Sequence, residues 1–218
     1  MARLIWWAAL LAGASYMLCV FVPMEPHWLT VVWKGAGVGL LALWAAVQMR
    51  DRDSALITLV LALGAAGDVL IDAAGLVPGA LAFAAGHVVA IILYARHRRP
   101  TMSASQRLLG WLIAPAATLI AALLVAGQPG ALGVTSYAAI VGSMAAFAWT
   151  SRFPRYRVGL GAVFFLISDL LIFARLGPMA ESDLPTLLIW PLYFAGQALI
   201  AWGAVGALAR DFRLHHRM

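Results

Sequence analysis

The chain has 218 residues, 64% of them hydrophobic and 11% charged, with a mean hydropathy of +0.92. A soluble domain of this size cannot cover so much apolar surface, so the solvent around the chain must be lipid. The net charge of +6 is spread over short loops, which points to membrane topology and away from nucleic acid, and the single cysteine, Cys19, excludes an intramolecular disulfide.

A spanning helix needs about 20 mostly apolar residues. Eight segments qualify in chain order: 4–22, 28–48, 54–72, 77–95, 107–126, 132–150, 158–176 and 187–208. The breaks between them, such as "RDRDS", "AAGLVPG", "GQPG" and "SRFPRYR", carry turn chemistry. The reading is an all-α polytopic membrane protein of eight transmembrane helices, one transmembrane domain over 1–218. Pro115 and Pro191 are placed near helix ends. A cleaved signal peptide competes for the first segment, because "AGA" at 12–14 resembles a cleavage site. The apolar run nevertheless continues to Val22 behind a lone Arg3.

The basic residues test this count. With eight spans, Arg3, Arg50, Arg52, Arg96, Arg98, Arg99 and Arg107 share one face with Arg152, Arg155, Arg157, Arg210, Arg213 and Arg217. Those are thirteen of the 15 basic residues; Arg175 falls on the other face and Lys34 inside a helix. Arginine excess marks the cytoplasmic side, so both termini are expected in the cytoplasm, in what reads as a bacterial inner membrane.

The chain also echoes itself. "GDVLI" at 67–71 resembles "SDLLI" at 168–172, and "FAAGH" at 83–87 resembles "YFAGQ" at 193–197. The echo predicts a parallel four-plus-four repeat in which Asp68 corresponds to Asp169 and His87 to Gln197.

Ionisable residues within a span cost about 2.5–3.5 kcal/mol each on insertion scales, so they usually face a cavity or a partner. Counted from the outer helix ends at about 1.5 Å per residue, Lys34, Asp68, Asp169, His87 and Gln197 all fall between the outer interface and the midplane. They are expected to line one cavity open to the outer side. Asp72, beside Gly75 and Pro78, reads as a solvated helix end. Lys34 can also be read as snorkelling to the headgroups, and His87 and Gln197 as interhelical hydrogen bonds. Zinc would want three or four His, Cys or carboxylate ligands, and only one histidine, His87, lies inside a span, so neither a metal nor a cofactor is expected.

Three stretches resemble the lysoplasmalogenase-like (YhhN-like) integral membrane proteins. They are "GDVLI…GLVPGALAFAAGHVVAIILY", the Ser-Asp motif "ISDLLIF" and the Tyr-x-x-x-Gln helix "LYFAGQALIAWG". The family often has a proline close behind its second-helix lysine, whereas Lys34 is followed here by Gly35. The resemblance implies hydrolysis of the vinyl ether of a lysoplasmalogen, giving a fatty aldehyde and a glycerophospho-headgroup, with a lysophospholipid as substrate and membrane lipids as surroundings. It carries Ser168 and Tyr193 into the site alongside the aspartates.

Vinyl ethers resist base and yield to acid, so such a site wants one carboxylic acid to donate a proton and one carboxylate to stabilise the cation or activate water. Asp169, expected to be the deeper and more desolvated, is taken as the general acid, and Asp68, nearer the outer water, as the base or cation stabiliser. His87 and Gln197 orient them, and Lys34 with Arg175 holds the lipid phosphate. The alternative is a proton-coupled transporter of a small molecule or lipid, which would use the same buried acids without bond cleavage.

Overall fold

The structure, a computed structural model, describes residues 1–22 and 25–215. It is a helical bundle: α1 (Ala2–Ser15), α2 (Leu18–Phe21), α3 (His27–Ala46), α4 (Arg52–Ala74), α5 (Leu76–Arg96), α6 (Ala104–Leu124), α7 (Ala131–Thr150), α8 (Leu160–Leu176) and α9 (Leu184–His215). Seven helical segments among the described residues are long and apolar enough to cross a membrane: α3 to α7, α8 together with the π-helical turn Arg155–Gly159 that leads into it, and α9. Leu11, Trp111, Leu123 and Leu132 are among many large apolar side chains left exposed on the outside, as expected where lipid is the solvent.

The first expected span departs from a regular helix. α1 has 14 residues, about 21 Å at 1.5 Å per residue, against a hydrocarbon core of about 30 Å. Tyr16 and Met17 keep right-handed helical angles between α1 and α2, so the path continues to Phe21 with irregular hydrogen bonding.

Local chemistry sets several ends. Asp51 and Ser54 form a reciprocal capping box at the start of α4, and Ser103 and Gln106 do so for α6. Gly75, at φ 99°, turns the chain from α4 directly into α5, a conformation that disfavours any side chain. Asp72 therefore lies inside α4 and not in a solvated turn. Pro115 and Pro191 lie inside α6 and α9, contrary to their expected place near helix ends. Both helices run on through them, because a bundle re-satisfies the carbonyl that a proline frees.

Contacts at the arginine-rich end agree with the alternation of the loops. Asp53 accepts from Arg96 Nε and meets His97 Nε2, both at 2.8 Å, and Arg152 Nη2 lies 3.2 Å from His97 Nδ1. Arg50 stacks on Phe212 near the end of α9, and Trp6 near the start of α1 packs on Trp44 near the end of α3. The helices that carry the intramembrane acids pair closely: α4 with α5, α8 with α9, and α9 with both α3 and α4. Gly161 and Gly196 bring α8 and α9 almost into backbone contact.

Candidate functional site

Asp68 sits four turns into α4, and Asp169 at the middle of α8. Both are buried, with exposures of 2% and 6%. The expectation that Asp169 is the more desolvated of the two therefore fails: bundle packing covers both, and distance from a helix end does not measure that.

Each carboxylate accepts a hydrogen bond from a tyrosine. Tyr193, on α9, donates to Asp68 Oδ2 at 2.8 Å, and Gln197, one turn further on, donates through Nε2 to the Tyr193 hydroxyl at 3.4 Å. Tyr137, on α7, donates to Asp169 Oδ2 at 2.9 Å, and His87 Nε2 lies 3.1 Å from the same hydroxyl. The result is two parallel chains, Asp68–Tyr193–Gln197 and Asp169–Tyr137–His87. Neither aspartate has an ion-pair partner among the described residues.

Aromatic rings fill the space between the chains. Phe165 packs edge-on against His87 at 4.8 Å and against Tyr193 at 5.1 Å, and Phe83 packs edge-on on Phe165 and Tyr193. Small residues make this packing possible. A Cβ on Gly67 would lie 2.7 Å from the Phe83 ring, and one on Gly64 would lie 2.7 Å from Gln197 Nε2.

Lys34 pairs with Asp72, Nζ to Oδ1 at 2.8 Å, with side-chain exposures of 15% and 20%. Asp72 is thus a partner in an ion pair one turn beyond Asp68 on α4, and Lys34 is not left free as a snorkelling cation. Ser168 is buried, but its hydroxyl donates to the Phe165 carbonyl at 2.7 Å and serves the helix backbone. Arg175 is exposed in the last turn of α8 and does not join the others.

Among the described residues the expected single cavity does not appear, because of the five residues only His87 and Gln197 line the unfilled space beside the site. The unfilled space beside the site lies on the arginine-rich side of His87 and Gln197, and Asp68, Asp169 and Lys34 are not among its walls. Phe83, Phe165 and Tyr193 pack edge-on against one another between the two chains.

Sequence reasoning brought Asp68, Asp169, His87, Gln197 and Tyr193 to the interior, where the structure gathers them. It missed Tyr137. The signal was present in "VTSYAAIVGS", where one tyrosine sits among small residues, since a buried phenol normally finds a partner.

No curated protein and no solved structure gives a significant match to the chain. Residues 29–204 match the YhhN family model, and the chain belongs to that family.

Proposed function

We propose that the protein is a membrane-embedded hydrolase that cleaves the vinyl ether of a lysoplasmalogen, with Asp169 as general acid and Asp68 as the carboxylate that stabilises the cation and takes up the water's proton. The observation that carries this reading is the pair of buried carboxyls, each held by a tyrosine, within one apolar bundle. Membership of the family supports the same reading.

Asp169 gives a proton to the alkenyl carbon remote from oxygen, leaving an oxocarbenium ion. Water adds to the carbon beside oxygen, and its proton goes to Asp68. The hemiacetal then collapses with a proton returned to the glycerol oxygen, releasing aldehyde and the glycerophospho-headgroup. The Tyr137–His87 chain is the route by which Asp169 regains its proton for the next turnover. The choice of Asp169 as donor follows from that chain, and Asp68 lies one helical turn from Asp72, the partner of the Lys34 cation.

The Lys34–Asp72 pair suits a zwitterionic headgroup, with phosphate meeting Lys34 and an ammonium meeting Asp72. Asp72→Asn is then expected to raise KM for such a lysolipid about tenfold while kcat holds, the cost of one charged contact. Steady-state kinetics in detergent reads this directly. An unchanged KM removes Asp72 from headgroup binding.

Mid-helix Pro115 and Pro191 are interruptions of the kind found in carrier helices. Neither helix is broken at its proline, however, and a hydrolase remains the better fit to two tyrosine-bound carboxyls. The arginine excess on one side supports cytoplasmic termini in a bacterial inner membrane.

The test is aldehyde release by detergent-purified protein from a 1-alkenyl lysophospholipid, beside its ester and saturated-ether analogues. Release from the vinyl ether alone is expected. Release from the ester would change the chemistry, and no turnover of any of the three would turn the reading to transport.

A further inference from the structure

Among the described residues four buried side-chain polar atoms have no protein partner, and two of them belong to side chains that line the same space. These two are the Tyr94 hydroxyl and Gln197 Oε1, and the His87 ring lines that space with them. Tyr94 is 0% exposed, Gln197 2% and His87 4%. Tyr94 stands two turns beyond His87 on α5. Helical side chains lean toward the N-terminal end of their helix, which aims the phenol back toward His87.

The remaining walls include Val60, Ala90, Met144 and Ile200, which offer no polar side chain. The space has room for a water molecule and not for a lipid chain. Native proteins leave few buried donors and acceptors unsatisfied, and ordered water serves those that the chain does not. A phenol, an amide oxygen and an imidazole around a void of that size make such a site.

We infer that this space is a buried water site held by Tyr94, Gln197 and His87, and that it supplies the water consumed in hydrolysis; the second half rests on the hydrolase reading above. Gln197 touches the Tyr193 hydroxyl bound to Asp68, and His87 touches the Tyr137 hydroxyl bound to Asp169, so the site adjoins both carboxyls at one remove. On addition, a lone pair of the water forms the new C–O bond and the π pair of the oxocarbenium returns to the ether oxygen. The water's proton passes to Asp68. Tyr94 is a positioning residue in this scheme.

X-ray hydroxyl-radical labelling of the detergent-purified protein tests the site without reference to activity, because bound water activates side chains beside it however deeply they are buried. Tyr94 is expected to be oxidised at a rate comparable with the exposed Tyr156, while the buried Phe173, away from the space, stays unlabelled. Tyr94→Phe, which keeps the ring, is expected to lower kcat about tenfold with KM held, as for one lost hydrogen bond. If Tyr94→Phe does not fold, Ala90→Leu fills the space from its apolar wall and should lower both Tyr94 labelling and kcat. Tyr94 as slow to label as Phe173 overturns the water site. Labelling of Tyr94 with wild-type kcat in Tyr94→Phe overturns its role as the supply. Labelling in a protein that releases no aldehyde leaves the water site standing and removes the hydrolase reading.

Discussion

Asp169→Asn is expected to lower kcat for vinyl-ether cleavage by about 10³-fold or more, with KM little changed, because general acid catalysis contributes about 10²–10⁴-fold and the amide has no proton of comparable acidity to give. Asparagine keeps the shape of the side chain, and its carbonyl still accepts from the Tyr137 hydroxyl, now 2.9 Å from Asp169 Oδ2. The protein should therefore purify and melt as the wild type does, so that lost activity reads as lost chemistry. Asp68→Asn is expected to fall in the same range through loss of the cation's counter-charge. The double variant should lose much less than the product of the two single losses, because groups that act on one reaction coordinate are not additive. Wild-type turnover in both single variants would remove the carboxyls from the mechanism.

The second large effect is structural. Gly161→Ala is expected to destabilise the bundle by about 1–3 kcal/mol, the usual cost of overpacking. Its new Cβ would lie 2.7 Å from the Gly196 carbonyl oxygen and 3.0 Å from Leu199 Cβ, neither of which can swing away. Gly196→Ala meets the Gly161 carbonyl at the same 2.7 Å, so the two substitutions should behave alike. α8 carries Asp169 and α9 carries Tyr193 and Gln197, so prising these helices apart should lower activity along with the melting temperature. Gly133, on the exposed face of α7, has no neighbouring atom within 4 Å of where a methyl group would stand and serves as the control. Gly133→Ala should be neutral or slightly stabilising through helix propensity. Equal tolerance of alanine at 161 and 133 would contradict the close α8–α9 packing.

Hydropathy made seven long helices and their alternation legible, because apolar length and loop arginines respond directly to the bilayer. The break after Ser15 was not legible, since nothing in "GASYMLCVF" interrupts the apolar run. Counting along a helix placed Asp68, His87, Asp169 and Gln197 in the same half of the bilayer, and the structure buries all four. Height says nothing of azimuth, however. Which hydroxyl meets which carboxylate depends on how α7 packs against α5 and α8, and so Tyr137 escaped notice. The Lys34–Asp72 pair was within reach of the sequence, as both residues lie toward the same end of neighbouring helices. It was missed because Gly75 and Pro78 suggested that α4 had already ended, whereas Gly75 makes the whole turn in one residue. The expected single cavity failed for a related reason. Polar residues in one half of the bilayer suggest a shared opening only if small side chains surround them, and here Phe83, Phe165 and Tyr193 pack edge-on against one another between the two chains.

The central claim is that a proton from a buried carboxyl opens the vinyl ether, and isotope labelling tests it most directly. Turnover of the 1-alkenyl lysophospholipid in D₂O, with the aldehyde reduced at once to the alcohol to prevent exchange, should place one deuterium on the carbon next to the former carbonyl. Parallel turnover in ¹⁸O-water should leave the glycerol oxygen unlabelled, because the bond that breaks lies on its alkenyl side. Aldehyde without deuterium at that carbon, or ¹⁸O in the glycerol hydroxyl, would contradict the account.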